Sequence, residues 1–436
     1  MRLAGRVSAA IEILGDVIDR RRPAALALAD WGRTHRFAGS GDRSAIGTLV
    51  YDALRRHASI AWRMNSDAPR ELVLGVLYHL WGLSADNIAA LCDGSQHAPA
   101  PLSSSEESTL RSGSNIREDN MPAWAAADVP VWLYAGFAAS FPENGIAEGR
   151  ALAERAPVDL RVNTLKADRA RVLKAMEKYN ATPTPFTTTG IRIPPPSHQA
   201  KNPNVEADGA HGRGWFEVQD EASQIAVALS GAGPRLQVLD LCAGAGGKTL
   251  GLAALMQNTG QLHAYDADKT RLRPIFERLK RAGARNVQVL PAGEEAALTP
   301  LMGRMDVVFV DAPCTGSGVW RRRPDTKWRL TETSLAERIA EQRTVLELAA
   351  PLVKPGGRLI YATCSVIAAE NQEQTARFLS EHTDYSEIGY EETWRAATTL
   401  DTEPPKSAAS SGQSLLLTPF QHETDGFYIS QLQRQA

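Results

Sequence analysis

Beginning at Leu236, short apolar runs alternate with stretches of helical periodicity, and that alternation constrains the fold more than any other feature of the chain. Val238-Leu-Asp-Leu241 is followed by a glycine-rich turn and a helical pattern that lasts to Leu255. Gln261-Leu-His-Ala-Tyr265 is the next run, with helical spacing over 270–282, and 286–290, 305–310 and 358–362 continue the series. Strands separated by helices cannot pair as tight hairpins, so they form a parallel sheet with helices on both faces. In such a doubly wound α/β sheet, ligands sit outside the carboxyl ends of the strands. The chemistry is therefore expected in the turns that follow them.

The rest of the 436-residue chain is too long for one ordinary core. Residues 7–154 read as helical, with apolar side chains at three- and four-residue spacing over 9–20 and 44–57. In the second of these, Ile46, Val50 and Leu54 share one face. The polar, Ser-rich stretch 92–120 reads as a loop or linker. Next come an extended run, Leu160-Arg-Val-Asn-Thr164, a helix over 167–179, and Pro- and Thr-rich sequence. Residues 197–214 are expected to form a long exposed loop, and 403–412 a flexible one. The predicted division is 1–154, an all-helical domain; 155–230, a small α+β module; and 231–436, a Rossmann-like domain.

Hydrophobic residues at 43% and charged residues at 22% are ordinary for a soluble globular protein. No apolar stretch approaches the roughly 18–20 residues of a membrane span. Glu12 and Asp16 follow the N-terminal arginines before any apolar core of a secretory signal develops, so a cytoplasmic protein with no membrane partner is expected. The net charge of -2 neither supports nor excludes nucleic acid, because basic residues can be grouped on one face. None of the four cysteines, Cys92, Cys242, Cys314 and Cys364, belongs to a C-x-x-C pair. A zinc site is disfavoured, no metal is expected, and a reducing compartment fits.

The first turn is Asp240-Leu-Cys-Ala-Gly-Ala-Gly-Gly-Lys248. Glycines after a buried strand let the backbone approach a ligand and aim helix N-terminal amides at it, although such a turn also serves simply to join strand to helix. The spacing of a P-loop fails, since Cys242 stands where a glycine is required, and G-x-G-x-x-G fails at Thr249. After the second run Asp266 can accept the hydroxyls of a ribose or cap the next helix. The fourth run ends Asp311-Ala-Pro-Cys314 and the fifth Thr363-Cys364-Ser365. A lone thiol is more often a packed small residue than a nucleophile, but two at one sheet edge suit a specific reaction. Carbon 5 of a cytosine does not attack a methyl donor until a thiolate has added at C6. Arg321, Arg322, Arg323, Lys327 and Arg329 form a charge run close behind Cys314, either a solvated face or a set of phosphate contacts. Trp320 and Trp328 beside them can stack on bases or pack in a core.

Together these segments resemble the Sun (Fmu) family of RNA cytosine-5 methyltransferases, in particular the bacterial 16S ribosomal RNA branch with a NusB-like helical N-terminal domain. The resemblance rests on Leu160-Arg-Val-Asn-Thr-Leu-Lys166, Val218-Gln-Asp-Glu-Ala-Ser-Gln224, the 242–248 turn and Asp311-Ala-Pro-Cys-Thr-Gly-Ser-Gly318. Arg323-Pro-Asp-Thr-Lys-Trp328, Tyr361-Ala-Thr-Cys-Ser365 with Glu370-Asn371, and Asp425-Gly-Phe-Tyr428 complete it in family order. It implies S-adenosyl-L-methionine as cofactor, held by Cys242, Ala243, Gly244, Ala245, Gly246, Gly247 and Lys248, with Asp266 on the ribose, a backbone contact at Gly293, and Asp311. It implies that Cys364 attacks C6, that Cys314 assists release of the methylated base, and that Asp311 hydrogen-bonds the cytosine ring. RNA, ribosomal on this resemblance, is the implied partner of a monomer, with Arg321, Arg322, Arg323 and Lys327 on its phosphates. The family turn usually reads Cys-Ala-Ala-Pro-Gly-Gly-Lys, so Gly244 and Ala245 depart from it, and Gly293 stands where an acid is usual, with Glu294 beside it. Competing readings are a transfer RNA enzyme, a DNA cytosine-5 methyltransferase with the two cysteines exchanging roles, and a non-catalytic RNA-binding assembly factor.

Overall fold

The computed structural model describes residues 1–112, 120–196, 203–409 and 412–436, in two compact units. One comprises Met1–Arg155 with Val319–Leu330. Its core is built by the helices Leu3–Asp19, Ala24–Thr34, Ser40–Arg55, His57–Met64 and Pro69–Gly75. Ile46, Val50 and Leu54 occupy one face of Ser40–Arg55, as expected, and all three are buried. That helix begins four residues earlier than the periodicity suggested because Asp42 reaches back to the Gly39 N–H at 3.2 Å and satisfies an amide the helix leaves open. The stretch read as a linker, 92–120, contains the helix Ser104–Ser112, anchored by buried Leu110 and by Glu106 paired with Arg70; its residues 113–119 lie outside the described set.

The segment Val319–Leu330 is part of this helical core. Its helix Pro324–Arg329 places Trp328 Nε1 2.6 Å from the Leu54 carbonyl and Lys327 Nζ 3.3 Å from that of Arg55. Lys327 is only 1% exposed, lies near the Trp320 and Trp328 rings, and is pushed down to about 8 by burial against the opposing pull of Asp128.

His57 packs edge-on against Trp328 at 4.5 Å, with both ring nitrogens buried and without a hydrogen-bond partner. Burial pushes its pKa down to about 4 from 6.5. Between those two values the unfolded chain binds a proton that the folded state refuses, so stability falls with pH across that window, by up to about 1.4 kcal/mol per pH unit. His57→Phe keeps the ring and removes two unsatisfied polar atoms. The expected result is a gain of about 1–2 kcal/mol at pH 5 and a shallower loss of stability between pH 7 and pH 5. Thermal unfolding of both proteins at the two pH values checks this; parallel slopes would clear His57 as the source.

The second unit comprises Ala156–Pro195, Pro203–Gly318 and Thr331–Ala436. It opens with an antiparallel sheet of β1 (Val158–Val162), β2 (Thr182–Pro183), β3 (Gly190–Ile193) and β4 (Phe216–Val218), in the order β2-β3-β1-β4. The helix Arg169–Met176, capped by Asp168, packs Val172 and Met176 on Leu160, Ile191 and Phe216. The expected long loop 197–214 is only partly described, and from Val205 it folds into a short 3-10 turn and the helix Gly209–Gly212.

The main sheet follows as β5 (Gln237–Asp240), β6 (Gln261–Ala264), β7 (Val287–Val289), β8 (Met305–Asp311), β9 (Val353–Thr363), β10 (Tyr385–Ile388), β11 (Leu415–Leu417) and β12 (Phe427–Arg434). Its order is β10-β12-β9-β8-β5-β6-β7, with β11 against β12. Strands β5 to β9 are mutually parallel, as expected from the alternation. β12 is an addition to that expectation, running antiparallel to β9. The chain leaves β5 toward β6 and later returns to β8 on its other side, so the order reverses between β5 and β8. A crevice opens at such a point.

Candidate active site

Three turns meet at the carboxyl ends of the parallel strands. The first begins at Asp240, the last residue of β5, whose side chain is fully buried. Its Oδ2 accepts from the Thr249 hydroxyl at 2.7 Å, while its Oδ1 has no partner. Burial pushes this carboxyl up to about 7, with Asp311 and Asp266 adding to the rise and Thr249 and Lys248 opposing it. Burial and the same three carboxylates hold the Cys242 thiol well above its ordinary value.

Gly244 and Gly246 have φ of +50° and +87°, a region that favours glycine. A side chain at Gly246 would come within 2.6 Å of Ile275. The departure at Gly244 thus places a permissive residue where the main chain is left-handed, and its N–H donates to Asp266 Oδ2 at 2.8 Å. The helix Gly247–Leu255 starts immediately after, and buried Arg161 from β1 holds the Gly247 carbonyl at 2.8 Å.

Asp266 follows β6 and is 3% exposed. Its Oδ1 accepts from the Asp268 N–H at 2.8 Å. The helix cap anticipated as its alternative role is taken by Asp268, which accepts from Thr270 and Arg271. Gly293 stands beside it, donating its N–H to the Asp266 carbonyl at 3.2 Å. Glu294 is exposed.

The turns after β8 and β9 emerge side by side because Asp311 is in register with Ala362. They bring Cys314 Sγ within 3.3 Å of Cys364 Sγ. The bond to Cys364, burial, and the negative charges of Cys364, Glu370 and Asp311 drive the Cys314 thiol well up. Lys248 pairs with Asp311 Oδ2 at 2.5 Å and lies 5.2 Å from the Phe427 ring centre. Burial works to lower the pKa of this lysine, but Asp311, Cys364 and Asp240 together outweigh it and the net direction is upward. Beneath the thiols the main chain of Gly318 donates to the Cys364 carbonyl at 3.0 Å and accepts from Gly426 at 2.8 Å. A side chain on Gly318 would lie 2.0 Å from the Gly426 carbonyl oxygen, so only glycine permits that approach.

One cluster of the second unit therefore gathers Cys314, Cys364, Asp311, Lys248, Asp266, Gly293 and the 242–247 turn. Two residues packed against it, Asp240 and Glu370, carried no role in the sequence reading. Asp240 had a signal, an acid ending an apolar strand before a glycine turn. Glu370 stood in a matched motif, but nothing in the sequence says that it is buried. The basic run belongs to the helical unit instead. Arg323 is exposed and Arg322 half-buried, whereas Arg321 and Lys327 are buried. The phosphate contact expected of Lys327 does not fit that position, because its ammonium is enclosed by protein. Trp320 and Trp328 likewise pack in the core.

The cluster of carboxylates suits a ligand bearing positive charge and a ribose. Asp311 and Asp240 act on the ammonium of Lys248, and the carboxylate of Asp266, with Arg271 4.0 Å away, acts on Asp240. The unpartnered Asp240 oxygen is an acceptor awaiting a donor, since buried polar atoms are seldom left unpaired. No described helix is long and apolar enough to cross a membrane, and no group of three or more metal-ligating side chains occurs among the described residues.

Residues 231–433 match the family model of the 16S rRNA methyltransferase RsmB/F, and residues 129–198 match the ferredoxin-like domain of RsmF/B-like methyltransferases. The chain is 32% identical over 282 residues to a probable ribosomal RNA small subunit methyltransferase B of Synechocystis sp., a match covering 64% of this chain. It spans about 60% of the length of that relative. It is 29% identical over 363 residues to the ribosomal RNA small subunit methyltransferase B of Cronobacter sakazakii, covering 79% of this chain and 83% of that one. Among solved structures it is similar to PH0851, with a TM-score of 0.73 and 25% identity over 100% of this chain and 99% of the other. With both domain models matched in order and the paired cysteines in place, the chain belongs to the RsmB/F family of methyltransferases.

Proposed function

We propose that the protein transfers a methyl group from S-adenosyl-L-methionine to carbon 5 of a cytosine in ribosomal RNA, with Cys364 as the covalent nucleophile. The observation that carries this reading is the pair of thiols 3.3 Å apart at the ends of adjacent parallel strands, beside the Lys248–Asp311 pair. A binding protein has no use for that arrangement, and cytosine-5 chemistry needs it.

When bound, the cofactor supplies an electrophilic methyl group on a positively charged sulfur. Asp266 would accept from its ribose hydroxyls and the 242–248 turn would cradle it, with the unpartnered Asp240 oxygen beneath that turn. Cys364 adds as thiolate to C6, and the electron pair of the C5–C6 bond makes C5 nucleophilic. Lys248 and Asp311 flank the base where charge develops, and fixed charges in a site shielded from water act strongly there. After C5 has taken the methyl group, its proton passes to water, the C5–H electron pair restores the C5–C6 double bond, and Cys364 leaves C6 as thiolate, with Cys314 assisting release. A target base in structured RNA is reached only after unstacking. Arg322 and Arg323 are the remaining candidates for phosphate contact.

The test is transfer of labelled methyl from the cofactor to unmodified ribosomal and transfer RNA, followed by nucleoside digestion. Label recovered as 5-methylcytidine from ribosomal RNA is the expected result. Label confined to transfer RNA would reassign the substrate, and label in another nucleoside would remove the two-thiol mechanism.

A further inference from the structure

Glu370 is fully buried in the 3-10 turn Ala368–Glu370 that follows β9, and its carboxylate carries four hydrogen bonds. Oε1 accepts from the Thr315 N–H at 2.8 Å and from Gln342 Nε2 at 3.0 Å. Oε2 accepts from the Thr315 hydroxyl at 2.6 Å and from the Ser365 hydroxyl. Thr315 follows Cys314 and Ser365 follows Cys364, so one carboxylate holds the residue next to each thiol.

The Val366 N–H donates to Ser317 Oγ at 2.9 Å and the Ile367 N–H to Ser365 Oγ at 3.1 Å. The Ser317 and Ser365 hydroxyls lie 2.9 Å apart, and that of Ser365 donates to Glu370. Gln342 also binds the Pro313 carbonyl at 2.9 Å, and Asn371 Nδ2 binds that of Ser365 at 2.9 Å. Four donors on two oxygens match the acceptor positions of a carboxylate.

Among the described residues no lysine or arginine pairs with Glu370; its partners are the neutral donors just named. A buried charge without a counterion is costly, which asks for a use. Cys314 feels it, as does the Tyr361 hydroxyl, which is bonded to the Glu370 carbonyl at 2.6 Å, and Cys314 also faces Cys364 and Asp311. Lys248 is bonded to Asp311 and interacts with Cys364.

We propose that Glu370 is a positioning residue that separates the roles of the two thiols, pinning their turns side by side and setting a fixed negative charge against Cys314 so that Cys314 does not compete as nucleophile. This rests on the two-cysteine reading of the reaction, but its test needs neither RNA nor cofactor.

The full-length protein is alkylated with iodoacetamide from pH 7 to pH 10, and the Cys314 and Cys364 peptides are quantified by mass spectrometry. Glu370→Gln keeps the size of the side chain and removes its charge. It is expected to speed Cys314 alkylation about tenfold at fixed pH, equivalent to one unit in the thiol's midpoint, with Cys92 unchanged. Glu370→Asp retains the charge and should stay within about threefold of the wild-type rate. A wild-type Cys314 rate in folded Glu370→Gln protein overturns the proposal. So does a rise in Glu370→Asp equal to that in Glu370→Gln, which would reduce the role to packing. If Glu370→Gln does not fold, the wild-type protein decides: a Cys314 midpoint at or below that of the denatured chain overturns it. Missing methyl transfer alongside the expected alkylation pattern would fault the reaction assignment and leave the charge placement standing.

Discussion

Cys364→Ala protein forms no covalent complex with RNA and transfers methyl at less than about one-thousandth of the wild-type rate, the scale on which removing a covalent nucleophile acts. Cys314→Ala protein also turns over poorly but for the opposite reason. Its Cys364 still adds to C6, the methyl group still moves, and the adduct then accumulates because release is impaired. The two variants therefore differ in kind, and a denaturing gel of labelled RNA separates them: a shifted band with Cys314→Ala, none with Cys364→Ala. Misfolding does not produce that asymmetry, since both thiols are half-buried and each substitution removes only one weak contact between sulfurs. The reverse pattern would make Cys314 the nucleophile, the arrangement of a DNA cytosine-5 methyltransferase, and would exchange the roles argued above.

The parallel sheet was legible because strand and helix periods differ, and five apolar runs at the right spacing admit few other folds. β12 was not. Its pairing with β9 is set by contacts distant in sequence, and no local pattern distinguishes a strand that joins antiparallel from one that joins parallel. Pro274 divides the helix expected over 270–282 into Lys269–Leu272 and Ile275–Ala282, a local rule that periodicity alone overrode. The helix Ser104–Ser112 was hidden by composition, since one buried leucine and one buried ion pair hold it rather than an apolar stripe. In the site, the residues that touch substrate in the proposed reaction stood in motifs and could be read. Those that support them could not, because burial decides what Asp240 and Glu370 do. Lys327 shows the converse. A basic run looks like a surface until Asp128 and the Arg55 carbonyl, both distant in sequence, are found beside one of its members, which Trp320 and Trp328 of its own segment help to enclose.

Lys248→Met is expected to lower the rate of methyl transfer about 100- to 1000-fold, the range for removing one fixed charge from a preorganised site, while cofactor affinity changes by less than about tenfold. Asp311, bonded to this ammonium, and Asp240 both act on it. Taking it away leaves Asp311 without its bonded cation and raises the Asp240 carboxyl further above the value of about 7 that burial already imposes. At neutral pH more of the pocket's acid is then protonated, so the acid side of the pH–rate profile should move to higher pH. The sign for the cofactor is different. Its sulfonium and amino group are cationic, and removing a cation cannot weaken their binding by charge repulsion. Isothermal titration with the cofactor alone, set beside single-turnover methyl transfer across pH, reads the two effects separately. A rate loss with affinity preserved places Lys248 at the developing charge on the base. A loss of affinity as large as the loss of rate would instead place it on the cofactor's carboxylate, and the Lys248–Asp311 pair would then be holding the methyl donor rather than the cytosine.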